Sequence, residues 1–263
     1  AVVKANAYGH GLVAVARTAV KAGASWLGVA LLEEALTLRA ARIKAPILSW
    51  LTPISDDFAA AIKNDIDLAI PSLAHLKEVI AAAQSLQTTA RVHLEVDTGM
   101  TRGGALGEWD ELVAEAKKAE LSGAIKVIGV WSHFARADEP GHEFNDLQLS
   151  NFEKALEVAK QAGLNPEIKH LSNSAATLRN PKAKYDLVRL GIAMYGLSPD
   201  VNTMGDSKGL GLIPALTLRA KLHLVKDVPA GSKVGYGGTA EVKTDTKIGV
   251  VAMGYADGVP RNA

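Results

Sequence analysis

The chain has 263 residues, 48% hydrophobic and 22% charged, enough to build one large globular domain or two smaller ones. Its formal charge is +1, from 29 Lys and Arg against 28 Asp and Glu, so no broad positive field is available to hold a nucleic acid. The absence of cysteine excludes disulfides and thiolate metal sites, and no apolar run approaches the roughly 20 residues that span a bilayer.

In chain order, short β-rich runs alternate with longer segments whose apolar residues recur at helical spacing, which is the pattern of repeated βα units. Eight candidate strands fall at residues 1–3, 26–29, 46–50, 68–70, 91–96, 125–131, 168–171 and 186–190. Helices are expected between them, among others at 31–42, 73–83, 108–119 and 146–162, the last two rich in Ala, Leu, Glu and Lys. Eight parallel units close into a (β/α)8 TIM barrel. The competing open, doubly wound sheet usually carries a dinucleotide glycine fingerprint after its first strand, and Ala5-Asn6-Ala7-Tyr8-Gly9 is not one.

After about residue 213 the texture changes to an alternating stretch at 216–225, a turn-rich stretch at 231–238 and a further strand at 247–253. The expected organisation is a barrel over 1–204 and part of a mainly β C-terminal domain over 205–263, with the glycine-rich 205–211 as linker or loop. The chain starts without Met inside a strand-like segment and stops at 259–263 with no closing element, so truncation at both ends is expected. With no signal peptide at the start, the expected location is cytoplasmic.

The chemistry begins at Lys4, which follows the first candidate strand and so stands on the face where barrels carry catalysis. A partly desolvated lysine there favours the neutral amine that attacks an aldehyde, although for an isolated lysine at a strand end a surface cap is the more common reading. None of His10, His75 and His142 has convincing metal-ligand spacing with carboxylates, so no catalytic metal is expected.

The segment Ala1-Val2-Val3-Lys4-Ala5-Asn6-Ala7-Tyr8-Gly9-His10-Gly11 resembles the cofactor-lysine signature of the alanine racemases. Further segments resemble that family in the same order. They are Asp97-Thr98-Gly99-Met100-Thr101-Arg102, Ser132-His133-Phe134, His170-Leu171-Ser172-Asn173-Ser174-Ala175-Ala176, Arg189 to Gly196, Val234-Gly235-Tyr236-Gly237-Gly238 and Met253 to Gly258. The resemblance covers essentially the whole chain. It implies a barrel followed by a β domain, pyridoxal 5'-phosphate as cofactor, a homodimer, and interconversion of L- and D-alanine that supplies D-alanine for peptidoglycan.

The resemblance also implies roles. Lys4 would hold the cofactor as a Schiff base and then exchange the α-proton on one face, in the D-alanine direction. Tyr236 of the second subunit would serve the opposite face, with His133 as the polar neighbour that helps a phenol titrating near ~10 to accept a proton. Arg189 would lie against the pyridine nitrogen; it donates and cannot accept, so it weakens the ring as an electron sink. His170 would orient Arg189. The cofactor phosphate would be held by Tyr8, Ser174 and the amides of Gly191 and Ile192, with Asn173 also at the cofactor. Arg102 would contact the cofactor's phenolic oxygen and the substrate carboxylate, and Tyr255 would stand at the substrate entrance.

Two features depart from the family. Glu95 stands where many members carry a carbamylated lysine, so its own carboxylate is expected to position Arg102 directly. The tail Thr101-Arg102-Gly103-Gly104 is richer in glycine than the usual motif. Taken singly, each site residue has an ordinary structural explanation: a satisfied core histidine for His133 or His170, a helix cap for Ser174, a packed aromatic over a turn for Tyr236. The competing functions are a broad-specificity amino-acid racemase, a barrel-type decarboxylase and a non-catalytic pyridoxal-phosphate-binding protein. Decarboxylases typically set an acidic residue at the pyridine nitrogen, which counts against them here. Tyr236 and the β domain count against a bare carrier.

Overall fold

The computed structural model describes residues 1–260. Six strands, β1 (Leu27–Val29), β2 (Ile47–Ser49), β3 (Ile66–Ile70), β4 (Ala90–Glu95), β5 (Ile125–Trp131) and β6 (Ile168–His170), pair in sequential order, every pair parallel. Parallel neighbours need a crossover, and the helices supply it: α3 (Leu32–Ala40), α4 (Phe58–Lys63), α5 (Leu73–Ser85), α6 (Trp109–Leu121) and α7 (Glu143–Gln161) alternate with the strands. The result is the expected (β/α)8 barrel.

Two of the eight expected strands do not form ladders. Val2 makes only an isolated parallel bridge with Gly28, and 186–190 is irregular. Closure nonetheless runs through both: Val2 N–H donates to Leu190 O (2.8 Å), Val3 N–H to Gly28 O (2.8 Å), Asp186 N–H to Lys169 O (3.1 Å) and Arg189 N–H to Ser172 O (2.9 Å). These bonds are too widely spaced to make a continuous strand, but they leave no open sheet edge at the site.

Strand alternation sorts the barrel's two faces. Ile66, Leu68 and Ile70 of β3 and Val92 and Leu94 of β4 belong to the large core beneath the helices. Ala69, with Leu48 and Trp131, belongs to a separate small cluster with Trp26 and Trp50, and this inner face also carries the buried Asp67, His93 and His170. Such an interior is more polar and aromatic than the branched aliphatic filling usual for the fold. Two inward glycines make room for the larger rings: a Cβ on Gly28 would stand 2.4 Å from Trp50, and one on Gly129 would stand 2.3 Å from His93 Nδ1.

The chain divides into two compact units, Ala1–Ala215 and Leu216–Ala263, a boundary later than the 204/205 expected from composition. The glycine-rich stretch that reads as a linker or loop belongs to the first unit. Ser198 Oγ donates to Gly205 O (2.6 Å), Leu210 packs on the core, and Ala215 N–H donates to Tyr195 O (3.0 Å). Gly196 lies so close under this returning segment that a Cβ would meet Ile213 O at 2.0 Å.

The second unit is built from β7 (Leu222–Val228) paired antiparallel with β10 (Thr246–Val251), and β8 (Lys233–Val234) paired antiparallel with β9 (Ala240–Glu241). Its apolar side chains Leu222, Leu224, Val225, Val250 and Val251 are exposed. Two-stranded ribbons offer too little second face to bury them. No described helix is long and apolar enough to cross a membrane.

Candidate active site

At Lys4 the backbone changes hand. Residues Lys4–Tyr8 form one helical turn, α1, in which Ala5, Asn6, Ala7 and Tyr8 all have φ between 52° and 55°. Non-glycine residues rarely adopt this left-handed region, so something must hold it. The carboxylate of Glu34 on α3 accepts from the N–H groups of Ala5 (2.5 Å), Ala30 (3.0 Å) and Leu31 (3.2 Å). Asn6 Oδ1 accepts from Leu12 N–H (2.8 Å), tying the turn to the start of α2 (Leu12–Lys21). Glu34 was not singled out from the sequence, because an acidic residue in a helix's first turn is ordinary and its partners are remote.

Lys4 lines a cavity of about 340 Å3 together with Tyr8, Arg102, His133, Asn173, Ser174, Arg189, Gly191 and Ile192. All the first-unit residues expected to touch cofactor or substrate are therefore gathered round one space, joined by Trp50, Met100 and Trp131 among others. A larger groove of about 710 Å3 lies elsewhere on the first unit, lined mainly by small and apolar side chains of α2 and by Leu187, Val188 and Leu190, and has no comparable polar cluster.

Arg189 is the electrostatic centre of the site. Its guanidinium is buried and donates through Nη1 to His170 Nδ1 (2.9 Å) and His170 O (3.1 Å), and through Nη2 to Ser132 O (2.7 Å), Leu171 O (3.1 Å) and His133 Nδ1 (3.2 Å). It also lies over the Trp131 ring, 4.8 Å from the centroid. Burial pushes its pKa down to about 9, opposed by Glu95, so it stays charged at neutral pH. Burial and the nearby cations Arg189, Arg102 and Lys4 hold His133 well below the usual histidine range, and burial with Arg189 and His93 does the same to His170. Both rings are neutral at pH 7. His170, which does not line the cavity, reaches it through Arg189.

Ser174 opens the short helix α8 (Ser174–Arg179), whose cap is Asn173: Asn173 Oδ1 accepts from Ala176 N–H (3.0 Å). Ser174 Oγ accepts from Gly191 N–H (2.9 Å) and Ala193 N–H (3.3 Å), so hydroxyl and amides already face one another. Gly191 must lack a side chain here, since a Cβ would stand 2.4 Å from Tyr8 Oη. Burial raises the Tyr8 phenol.

The glycine-rich tail after Arg102 is pinned. Asp97 Oδ1 accepts from Gly99 N–H (2.8 Å) and Thr101 N–H (3.2 Å), Ala105 N–H donates to Glu95 O (2.8 Å), and a Cβ on Gly104 would meet Asp97 N at 2.6 Å. Glu95 itself does not pair with Arg102: among the described residues no hydrogen bond or ion pair joins them, which corrects the direct contact expected. Glu95 is buried while Arg102 is exposed, and the Glu95 carboxyl lies instead beside Gly103. Burial raises Glu95 to about 7, with Arg189 and Arg102 pulling the other way. Sequence reasoning also missed Gln148 on α7, whose amide donates to Thr98 Oγ1 (3.1 Å) and His133 O (3.0 Å) and accepts from Ala135 N–H (2.8 Å). A lone glutamine on an amphipathic helix gives no signal of such bridging.

Tyr236 and Tyr255 belong to the second unit. Each opens a single 3-10 turn, Tyr236–Gly238 and Tyr255–Asp257, and both rings are exposed, by 87% and 67%. No group of three or more potential metal ligands occurs among the described residues.

Together these features define an enzyme-class barrel with a cavity at the C-terminal ends of its strands, lined by a lysine and a buried guanidinium. Residues 1–199 match the alanine racemase N-terminal domain family and residues 215–263 the alanine racemase C-terminal domain family. The chain is 48% identical to the alanine racemase of Salinispora tropica over 100% of its own length and 70% of the relative's, and 46% identical to that of Streptomyces coelicolor over 100% and 68%. It superposes on the crystal structure of alanine racemase from D-cycloserine-producing Streptomyces lavendulae with a TM-score of 0.93 and 50% identity, over 99% of this chain and 68% of that one.

The chain belongs to the alanine racemase family, a family of pyridoxal-phosphate-dependent isomerases. Its activity is that family's, the interconversion of the enantiomers of alanine.

Proposed function

We propose that the chain racemises alanine by a two-base mechanism in which pyridoxal 5'-phosphate occupies the cavity at Lys4. The observation that carries this reading is the meeting of Lys4 and Arg189 on one cavity of about 340 Å3, a volume suited to a cofactor-sized ligand. The residues present fit the group. Arg189 Nε is the one guanidinium nitrogen without a partner among the described residues, which leaves a donor for a ring nitrogen, and Ser174, Gly191, Ile192, Asn173 and Tyr8 offer hydroxyls, an amide side chain and backbone amides for a phosphate.

When bound, the cofactor supplies an aldehyde for an amine and a ring that takes up the electron pair left as the α-proton departs. Lys4 Nζ would hold it, and its amine would carry a proton on one face of the substrate, serving the D-alanine direction. The phenol of Tyr236 from the second subunit of a homodimer serves the other face. His133 has Nδ1 turned to an Arg189 donor, so its neutral ring carries the proton on Nε2, available to a neighbouring oxygen such as that phenol. Arg189 keeps a full positive charge and offers only donors. It would therefore disfavour protonation of a ring nitrogen held against it and leave that ring a weaker sink for electrons. Arg102 binds the alanine carboxylate, and Tyr255 restricts substrate size. A cytoplasmic location and supply of D-alanine to peptidoglycan accompany this reading.

Borohydride treatment of the full-length enzyme loaded with pyridoxal phosphate, followed by peptide mapping, should place the reduced adduct on Lys4. Tyr236→Phe should retain that adduct while losing conversion of L-alanine. An adduct elsewhere, or full turnover in Tyr236→Phe, would remove the mechanism.

A further inference from the structure

Behind Arg189 a line of buried side chains crosses the barrel interior to the far ends of the strands. His170 Nδ1 meets Arg189 Nη1 at 2.9 Å, His170 Nε2 meets His93 Nδ1 at 3.0 Å, and His93 Nε2 meets Asp67 Oδ2 at 3.2 Å. Arg91 closes the line at the half-exposed end, with Nε 2.7 Å from Asp67 Oδ1 and Nη2 3.0 Å from Asp67 Oδ2. Asp67, His93 and His170 are each at most 1% exposed. Neither Asp67 nor His93 lines the cavity, and neither has a part in the reaction as described.

The ends of this line dictate its middle. A guanidinium can only donate and an ionised carboxylate can only accept, with two imidazoles between them. Three hydrogen bonds then have a single consistent proton arrangement: both rings neutral, both protonated on Nε2, and every N–H directed away from Arg189 towards Asp67. Moving the proton of either ring to Nδ1 sets two donors or two acceptors face to face. Adding a second proton to His93 leaves His170 unable to accept at both nitrogens.

We infer that Asp67 is a positioning residue of the racemase, which fixes the tautomers of His93 and His170 so that His170 Nδ1 presents a lone pair to Arg189. Its bearing on the reaction rests on Arg189 being the partner of the cofactor's ring nitrogen. Packing holds the rings in register: Trp131 stacks on His170 at 5.6 Å and 5°, Trp26 meets His93 edge-on at 5.3 Å, and glycine at 129 leaves the space His93 fills. Burial lowers the pKa of both histidines, in keeping with neutral rings. Without the Asp67 carboxylate the buried Nε2–H of His93 loses its acceptor, and only the Arg189 end of the line still opposes the arrangement with that proton on Nδ1. In that arrangement His170 would be driven to the Nδ1–H form and turn a donor towards Arg189, which would lose its nitrogen acceptor and its fixed orientation.

The test is nitrogen NMR of the histidine-labelled, full-length enzyme loaded with pyridoxal phosphate, which separates protonated from lone-pair ring nitrogens. In the wild type both His93 and His170 should be Nε2–H tautomers. Arg91→Ala removes the ion pair but leaves the carboxylate, and should preserve both tautomers; Asp67→Ala should change them. In Asp67→Ala, kcat should fall by about tenfold with KM for alanine nearly unchanged, the order seen when an outer partner of an oriented group is removed. An Nδ1–H tautomer or an imidazolium at either position in the wild type would overturn the inference even if Asp67→Ala failed to fold, and so would unchanged tautomers in a folded Asp67→Ala. If the tautomers change while the spectrum of the bound cofactor and kcat do not, the relay stands, and what falls is the reading of Arg189 as partner of the cofactor.

Discussion

Arg189 Nη1 lies 2.9 Å from His170 Nδ1, and the same guanidinium donates to three backbone oxygens, those of Ser132, His170 and Leu171. The cation is thus held by dipoles and neutral rings rather than by a paired carboxylate. This arrangement keeps the charge in place while leaving the cavity side of the guanidinium for a ligand. Replacing it with lysine would keep the charge and lose the fork. Arg189→Lys should destabilise the protein by ~2–3 kcal/mol, because the buried oxygens of Ser132 and Leu171 lose their donor. Denaturant unfolding would measure it, and stability equal to wild type would contradict the role assigned to the fork.

Three histidines, the buried His93 and His170 and the half-buried His133, set the acid limit. His93 lies below, and His133 and His170 well below, their ordinary value of 6.5. Below pH 6.5 the unfolded chain takes up protons that the folded chain refuses, so this stability is complete above that pH and is lost as pH falls. Glu95, raised to about 7, works in the opposite direction but is a single group. Unfolding free energy should therefore be lower at pH 5 than at pH 7.5 by ~2–4 kcal/mol. Equal stability at the two pH values would mean that the rings are not held neutral.

Glu95 gives the reverse dependence. Its folded pKa of about 7 exceeds its ordinary 4.5, so its contribution is present at low pH and is lost as pH rises through 7. Glu95→Gln, a mimic of the protonated form, should stabilise the protein by about 1–2 kcal/mol at pH 8 and by little at pH 5. Thermal melts of the two proteins at both pH values would show it. A loss of stability at pH 8 would indicate that the ionised carboxylate is needed beside Arg189 and Arg102.

Glu34 should prove as necessary to Lys4, the proposed cofactor lysine, as any residue in the cavity. Its carboxylate is the shared acceptor for the N–H groups of Ala5, Ala30 and Leu31, and the turn it holds is left-handed at four consecutive non-glycine residues. Glu34→Ala should cost ~2–3 kcal/mol and weaken pyridoxal phosphate binding by displacing Lys4. Titration of the folded variant with the cofactor would measure the loss. Wild-type affinity would mean that the turn is held by Asn6 and its other contacts alone.

The alternation of strand-like and helical runs was enough to recognise the barrel, because parallel strands covered by helices carry near-continuous apolar runs separated by long amphipathic ones. Six strand positions were legible within a few residues. The runs at 1–3 and 186–190 are equally apolar yet form no ladder, since strand pairing depends on how the barrel closes, which no local pattern records. Of the two readings open for 205–211, linker or loop, the segment is a loop of the first unit, which Ser198, Tyr195 and Gly196 fasten in place through contacts that no local pattern records.

By itself the sequence determined the order of elements, the family and the chemical types at the site, because these depend on contiguous motifs such as those around Lys4, Arg102 and Arg189. Only the tertiary structure decided which groups meet. Asp67, His93 and His170 come from three different strands, and Glu34 reaches Lys4's turn from α3, past the intervening α2. Nothing in the spacing of an aspartate at 67 and an arginine at 189 foretells a connection. Hydrogen bonds act over about 3 Å, and only folding brings groups so far apart in the chain to that distance.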